Sequence, residues 1–218
     1  MVKPTVSGVG VLDKSFLVLN AVSDHKLTLA ELTEATGLSR ATAHRLAVAL
    51  EQHGLLRRTD DGRFALGLHL VALGRAAAEQ FPLADAAADA LATLRDHTDE
   101  SVQLYVADGQ QRVCVAALES PHGLRTIVPV GAALPLGRGS AGRVLLGDDT
   151  TDGWIHTVEE REPGVASVSA PIRTAGGDVV AAISVSGPID RMGRAPGRRY
   201  GPAVVAAARA VERTLRGG

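Results

Sequence analysis

The sequence predicts an α+β protein built from two domains. Helix-type spacing of apolar residues and helix-capping residues dominate up to residue 54, and one short hairpin pattern follows at 55–66. Longer β-type alternation bounded by turn residues begins only after residue 100. With 218 residues, 45% apolar and 3% aromatic, the chain can bury two modest cores rich in Ala, Val and Leu. We therefore expect a first domain at 8–67, a helical linker at 68–82 and a second domain at 83–218.

The first domain begins with a predicted helix over residues 10–22, in which Leu12, Phe16 and Leu19 repeat at helical spacing. Thr28 and Glu31 have the spacing of a capping box and fix the start of a second helix. Gly37 is typical of a left-handed C-cap, and Ser39 can cap the helix that follows. The sequence thus predicts three helices, the last two joined by a Gly-Leu-Ser turn.

The third helix has one apolar and one polar face. Its inward face at 100° per residue holds Ala43, Leu46, Ala47 and Leu50. The opposite face holds Arg40, Ala41, His44, Arg45 and Gln52. A helix-turn-helix places such a helix in the DNA major groove, where a small residue permits close approach. The alternative is an αα-hairpin in an ordinary core with solvated charges outside.

Residues 55–66 form two short β-runs around Asp61-Gly62, a dipeptide suited to a type I′ hairpin turn. A hairpin directly behind a recognition helix is a wing, and Arg57, Arg58 and Arg63 on it can meet phosphates. We expect a winged helix-turn-helix. The residues predicted to contact DNA are Thr28, Ser39, Arg40, Ala41, Thr42, His44, Arg45, Arg58 and Arg63.

Charge and composition agree weakly with this prediction. The net charge is -1, yet residues 1–75 hold nine Lys or Arg against seven Asp or Glu, and the remainder holds fourteen against seventeen. No apolar run reaches the roughly eighteen residues of a membrane span, and no secretion leader is evident, so we expect a cytoplasmic protein with no membrane partner. Cys114 in an apolar run reads as a core residue, and the His residues show no metal-ligand spacing.

The second domain alternates helix and strand patterns. A helix over 83–97 precedes two β-runs around residues 108–111, two more flank Gly176-Gly177, and a helix over 203–215 closes the chain. This order predicts an antiparallel sheet with helices packed against it.

The segment GRGSAG, residues 137–142, matches the glycine spacing of a dinucleotide-binding loop. The preceding segment, Leu134-Pro135-Leu136, is too short for a parallel core strand and is interrupted by a proline. Arg138 does not fit the G-x-S-x-G motif of a nucleophile elbow, so Ser140 is not predicted to be a nucleophile. We reject both interpretations. Backbone N–H groups beside Ser140 and Ala141, at a helix start, can nevertheless hold a small carboxylate.

Hydroxyl pairs on the predicted strands give a second ligand signal. Ser184 and Ser186 lie two residues apart and share one sheet face, and Ser167 and Ser169 repeat the arrangement. Converging hydroxyls can orient a carboxylate, keto or amide group. The alternative is a half-solvated sheet that uses Ser on its polar face, and the residues alone do not separate the two.

Residues 11–22, the turn and helix at 37–56 and the run at 62–74 resemble the DNA-binding domain of the IclR-type bacterial transcriptional regulators. The runs at 120–136, 160–173 and 179–189 resemble the effector domain of that family. The resemblance covers nearly the whole chain and implies a GAF-like sensor domain. Within the family the chain is similar to the NdgR-type regulators of actinobacteria, which implies a role in amino-acid metabolism, notably leucine biosynthesis.

Carried onto this sequence, the family's effector contacts fall on Ser140, Ala141, Ser167, Ser184 and Ser186. Two departures stand out. First, the segment at 147–154 is shorter than in the family, in which roughly two dozen further residues of helical structure are usual at this point. Second, Thr157 stands where many relatives have Asp, and Ser167 stands where several have Cys. Fewer charged or soft groups imply a different ligand.

We therefore expect a non-enzymatic regulator that binds a double-stranded DNA operator and senses a small carboxylate, an amino acid or keto acid, with no cofactor, no metal and no catalytic residues. Because one recognition helix reads only a few base pairs, we expect a homo-oligomer, a dimer or tetramer. The alternative is a small-molecule-binding module or enzyme whose helices only mediate assembly. Against it stand the absence of paired catalytic carboxylates and of a Ser-His-Asp arrangement.

Overall fold

A computed structural model describes residues 7–79 and 82–217 and divides the chain into two compact units, Met1–Phe81 and Pro82–Gly218. The proposed interruption at Phe81 lies outside the described residues. No helix in the described part of the chain is both long and apolar enough to cross a bilayer. Helices and an antiparallel sheet occur together, so the α+β prediction is confirmed.

The described residues of the first unit form four helices and a two-stranded hairpin. In order they are α1 Gly10–Ala21, α2 Leu29–Thr36, α3 Arg40–Gln52, β1 Leu56–Arg58, β2 Phe64–Leu66 and α4 His69–Glu79. The local signals for α2 act as predicted: the Thr28 hydroxyl accepts from the Glu31 N–H, the Glu31 carboxylate accepts from the Thr28 N–H, and Gly37 is left-handed at φ 66°. Ser39 caps α3 by accepting from Thr42 N–H.

The core of this unit lies between α1, α2, α3 and the hairpin. The predicted inward face of α3 is buried, and Phe64 and Leu32 are fully covered at its centre. The predicted inward face of α1 is wrong, because Leu12 and Phe16 are about half exposed. Val18 and Val22 fill the core instead, with Leu19 partly buried against them. The spacing of apolar residues predicted the position of α1 correctly but predicted the wrong face to be buried.

The hairpin differs from the predicted type I′ turn. Gly62 has φ 78°, but Asp61 does not have a positive φ, so only one of the two central residues fits that turn. The Gly62 N–H donates to the Thr59 carbonyl, and the Thr59 N–H donates to the Arg63 carbonyl. This is a three-residue loop with a left-handed glycine, a common alternative for hairpins. The wing is anchored through Phe64, whose backbone pairs with Leu27.

The second unit is a six-stranded antiparallel sheet with helices on both faces. Its elements are α5 Leu83–Thr98, β3 Ser101–Asp108, β4 Gln111–Leu118, β5 Ala133–Pro135, α6 Ser140–Leu145, β6 Ile155–Val158, β7 Val165–Arg173, β8 Val179–Pro188, α7 Ile189–Met192 and α8 Pro196–Gly217. The strand order is β5-β4-β3-β8-β7-β6. Helix α8 begins seven residues before the predicted start at residue 203, and β5, β6 and α7 had no predicted counterpart.

The two faces of this sheet differ in chemistry. One face packs its aliphatic side chains, among them Leu104, Val168 and Ile183, against α5 and α8. The other face carries Gln103, the strand serines and a smaller cluster that includes Ala141 and Val144 of α6. Alternation along each strand produces this division, since neighbouring residues point to opposite faces. The polar face is thus covered by a helix rather than by solvent.

Candidate DNA-binding surface and ligand cavity

Helix α3 presents an exposed cationic face. Arg40, Ala41, His44 and Arg45 are all exposed, as predicted, and the buried residues of α3 lie on its other side. Within the described residues, the side chains of Arg40, Arg45 and Arg57 form no hydrogen bond or ion pair with the protein. Their charges are therefore available to a polyanion without breaking an internal contact.

Two residues predicted to contact phosphates, Arg58 and Arg63, form ion pairs at the protein surface. The Arg58 Nε lies 3.3 Å from Glu51 Oε2, and its guanidinium stacks 4.4 Å from the centre of the Phe64 ring. The Arg63 Nη1 donates to Glu31 Oε2 at 2.8 Å. The Thr28 N–H bond and the Arg63 charge lower the pKa of Glu31, which keeps this carboxylate ionised. Among the wing arginines, Arg57 has the side chain that can contact a phosphate without first breaking an ion pair within the protein.

The predicted hydroxyl contacts to DNA serve local structure here. Thr28 is the N-cap of α2, and Ser39 caps α3 while its hydroxyl donates to Thr42 Oγ1 at 2.9 Å. These side chains fix the ends of the two helices. Their assignment as DNA contacts stays a prediction.

All five residues assigned to an effector line one cavity on the polar face of the sheet. They are Ser140, Ala141, Ser167, Ser184 and Ser186. The cavity has a volume of ≈ 20 Å³, which is room for about one water molecule. The register explains the convergence, because Ser167 pairs with Ser186 and Ser169 pairs with Ser184 across β7 and β8.

A chain of hydroxyl groups runs along this wall. Thr157 Oγ1 lies 3.1 Å from Ser167 Oγ, Ser167 lies 2.8 Å from Ser140, and Ser140 lies 2.7 Å from Ser169. The Ser169 hydroxyl donates to Ser184 Oγ at 2.9 Å. Helix α6 therefore completes the network, because it places the Ser140 hydroxyl between those of Ser167 and Ser169.

The direction of the chain follows from the number of protons. Each hydroxyl donates once, and Ser169 donates to Ser184, so Ser140 must donate to Ser169 and Ser167 to Ser140. Thr157 in turn donates to Ser167, while it accepts from the Ser140 N–H at 3.0 Å. Ser184 ends the chain, and among the described residues its own proton has no acceptor.

These contacts correct one prediction and limit another. The sequence indicates that the backbone N–H groups beside Ser140 and Ala141 can hold a carboxylate, but the Ser140 N–H donates to Thr157 Oγ1, and the Gly139 N–H donates to Glu160 Oε1 at 3.1 Å. The Ser186 hydroxyl donates to Gln103 Oε1 at 3.0 Å. Of the serine and threonine hydroxyls that line the cavity, Ser184 therefore has the proton that is free for a ligand.

Sequence reasoning missed a cationic wall of the cavity. Arg112 and Arg161 both line it, together with Tyr105, whose ring centre lies 5.4 Å from the Arg112 guanidinium. Arg112 is 2% exposed, and burial lowers its pKa. The available signal was alternation: Arg112 stands two residues before Cys114 and shares its buried sheet face.

The glycines of GRGSAG serve packing. A Cβ on Gly142 would lie 2.0 Å from the Leu136 carbonyl oxygen and 2.9 Å from Arg112 Nη1, whereas a Cβ on Gly137 would meet nothing within 4 Å. Gly139 has φ 78°. Gly142 thus lets α6 approach the strand edge and the arginine closely. This role accounts for the motif without a nucleotide.

The described residues contain no group of three or more His, Cys, Asp or Glu side chains that could hold a metal. Cys114 is fully buried, and burial raises the pKa of its thiol to about 11. A neutral, covered thiol is a core group rather than a nucleophile.

Two protein-family models match the chain, one in its N-terminal part and one in its C-terminal part. The IclR helix-turn-helix domain model matches residues 11–60, and the model for the C-terminal domain of the bacterial transcriptional regulator IclR matches residues 75–152 and 149–213. The two parts of the second match meet at residues 149–152, within the segment 147–154 for which a shortened helical region is predicted.

Individual proteins are similar over most of the chain. The glycerol operon regulatory protein of Streptomyces coelicolor is 29% identical over 94% of this chain and 94% of its own. The regulator KipR of Bacillus subtilis is 33% identical over 61% of this chain and 54% of its own. The crystal structure of an IclR homolog from Microbacterium hydrocarbonoxydans, complexed with 4-hydroxybenzoate, shares the fold at TM-score 0.81 and 21% identity, covering 95% and 100% of the two chains.

Proposed function

The chain belongs to the IclR family of DNA-binding bacterial transcriptional regulators, and from this premise we propose that α3 reads an operator while the serine-lined cavity senses a small anionic metabolite. The carrying observation is that the five residues assigned to an effector from the family resemblance converge on one cavity. The relatives named above are regulators, so the enzyme alternative is set aside.

The proposed operator contacts begin with the exposed face of α3. Arg45 is placed to make a bidentate contact to a guanine edge, and Ala41 permits close approach of the helix to the groove. Arg57 on the wing supplies a phosphate contact. Since Arg58 and Arg63 are held by Glu51 and Glu31, they orient the wing against the helices rather than add free charge.

DNA binding is tested by fluorescence anisotropy with genomic fragments upstream of amino-acid biosynthesis genes, chosen by genome-wide mapping of bound sites. Arg45→Ala should cost about 1–3 kcal/mol and relax preference at one base position. Arg57→Ala should weaken binding to all sequences and reduce the salt slope by about one unit. Lys14→Ala, an exposed cation on α1, is the control. Sequence-indifferent, salt-insensitive binding would refute the assignment.

We propose a homodimer as the smallest functional form. Exposed apolar side chains on α1, among them Val11 at 62% and Phe16 at 55%, and Val71 on α4 at 68%, form surfaces that a second copy can cover. Two-fold proteins read half-sites about one helical turn apart. Phe16→Glu should convert the dimer to monomers in sedimentation experiments and weaken operator binding, without lowering helix content.

The proposed effector is a small carboxylate, an amino acid or its keto acid, and the proposed setting is cytoplasmic amino-acid metabolism, notably leucine biosynthesis. Support comes from the resemblance to NdgR-type regulators and from the cavity lining. A branched-chain acid exceeds the ≈ 20 Å³ now open, so its binding would require the walls to move. Calorimetry against amino acids, keto acids and 4-hydroxybenzoate, with and without operator, tests this part.

A further inference from the structure

Arg112 is a buried cation that forms no ion pair with the described residues. Its Nη1 donates to the carbonyls of Pro135 and Arg138, and its Nε is buried with no hydrogen-bond acceptor. Among the residues that the structure describes, no carboxylate lies within ion-pair distance of this guanidinium. Two carbonyls hold the group in position. Burial lowers the pKa of Arg112 and is the larger effect, whereas the negative charge of Glu160, from beyond ion-pair distance, raises it, so the charge of Arg112 is compensated only in part.

A charge in this position is costly, because burial removes its hydration. Elsewhere in the same unit a buried charge is matched: Glu100 is 1% exposed and accepts from Arg191 Nε and Nη2 at 2.5 and 2.7 Å. The difference sets Arg112 apart from an ordinary structural arginine. Since Arg112 lines the cavity, an anion bound in the cavity can pair with its guanidinium.

The rest of the lining has the same sign. Arg161 is the second cation of the wall, and its ion-pair partner Glu162 is exposed and outside the cavity lining. No Asp or Glu occurs among the described residues that line the cavity. Ser184 adds an unused O–H donor. Cations and a free donor without an opposing carboxylate are the complement of an anion.

Building on the proposed effector site, we propose that Arg112 is the specificity-determining anchor of this cavity and that it binds the carboxylate of a short monocarboxylate, with the Ser184 hydroxyl donating to the same group. A planar guanidinium can form two charge-assisted hydrogen bonds with a carboxylate, whereas a neutral amide offers it no opposite charge. Any acid exceeds the ≈ 20 Å³ now open, and an acid of few carbon atoms requires the smallest movement of the walls.

The experiment is calorimetry of the full chain with pyruvate and with its neutral amide, 2-oxopropanamide. Pyruvate should bind at least about tenfold more tightly than the amide, because only the acid makes charge-assisted hydrogen bonds. Arg112→Gln should abolish that preference, and Arg112→Lys should retain part of it. Arg143→Gln, which removes an exposed arginine of α6 paired with Asp148, should leave the preference unchanged.

Equal affinity for acid and amide, a preserved preference in Arg112→Gln, or no binding of pyruvate at millimolar concentration would overturn the proposal. If Arg112→Gln does not fold by circular dichroism, the acid-over-amide ratio of the parent and of Arg112→Lys decides. Operator binding by the ligand-free protein is measured separately. Its loss would refute the proposed regulator surface, while the acid preference alone bears on Arg112.

Discussion

Replacing Ser184 by alanine removes the last hydroxyl of the chain on the cavity wall. Ser169 is fully buried and donates to Ser184, so in the variant its O–H loses its acceptor. A buried donor without a partner costs about 1–3 kcal/mol. At roughly 3–4 °C per kcal/mol for a unit of this size, Tm should fall by roughly 3–12 °C. The lower end applies if water fills the space left.

The same variant should weaken pyruvate binding by roughly 10- to 150-fold, the effect of one hydrogen bond to a charged group. Ser169→Ala is the matched control. It breaks the network one link earlier and should lower Tm similarly, yet Ser184 keeps its proton and the affinity should change little. Thermal unfolding by circular dichroism and calorimetry give the two readouts.

Equal losses of ligand affinity in Ser184→Ala and Ser169→Ala would refute the reasoning, because the direction of the hydroxyl chain would then be irrelevant. An unchanged Tm in both variants would show that these hydroxyls are not each other's partners.

Three further predictions concern structure. Gly142→Ala should lower Tm strongly or prevent folding, since its Cβ would lie 2.0 Å from Leu136 O, whereas Gly137→Ala should be neutral; thermal melts compare them. Thr28→Ala should lose the capping box and about 1 kcal/mol of stability, measured by urea unfolding. With a pKa of about 11, Cys114 should resist alkylation at pH 8 until denaturant is added, and its raised pKa should cost stability as pH rises above 9. Rapid labelling of the native thiol would contradict the burial.

Sequence alone located features that depend on near neighbours. The capping box of Thr28 and Glu31 and the left-handed Gly37 were predictable because each acts within a few residues of chain. Strand alternation likewise put Ser184 and Ser186 on one face. Resemblance to a family added Ser140 and Ala141 to the same candidate site. The apolar stripe of α1 failed because burial depends on what packs against the helix.

Only the tertiary structure decided which groups meet and which are already satisfied. Ser140 reaches Ser167 and Ser169 because α6 packs on the sheet, and Glu31 engages Arg63 from 32 residues away in sequence. Arg112 is visible in the sequence as an ordinary charge. Its burial arises from segments more than twenty residues distant that pack over it and supply carbonyl oxygens rather than a carboxylate within ion-pair distance. Local chemistry determined the elements, and long-range packing determined the electrostatics of the site.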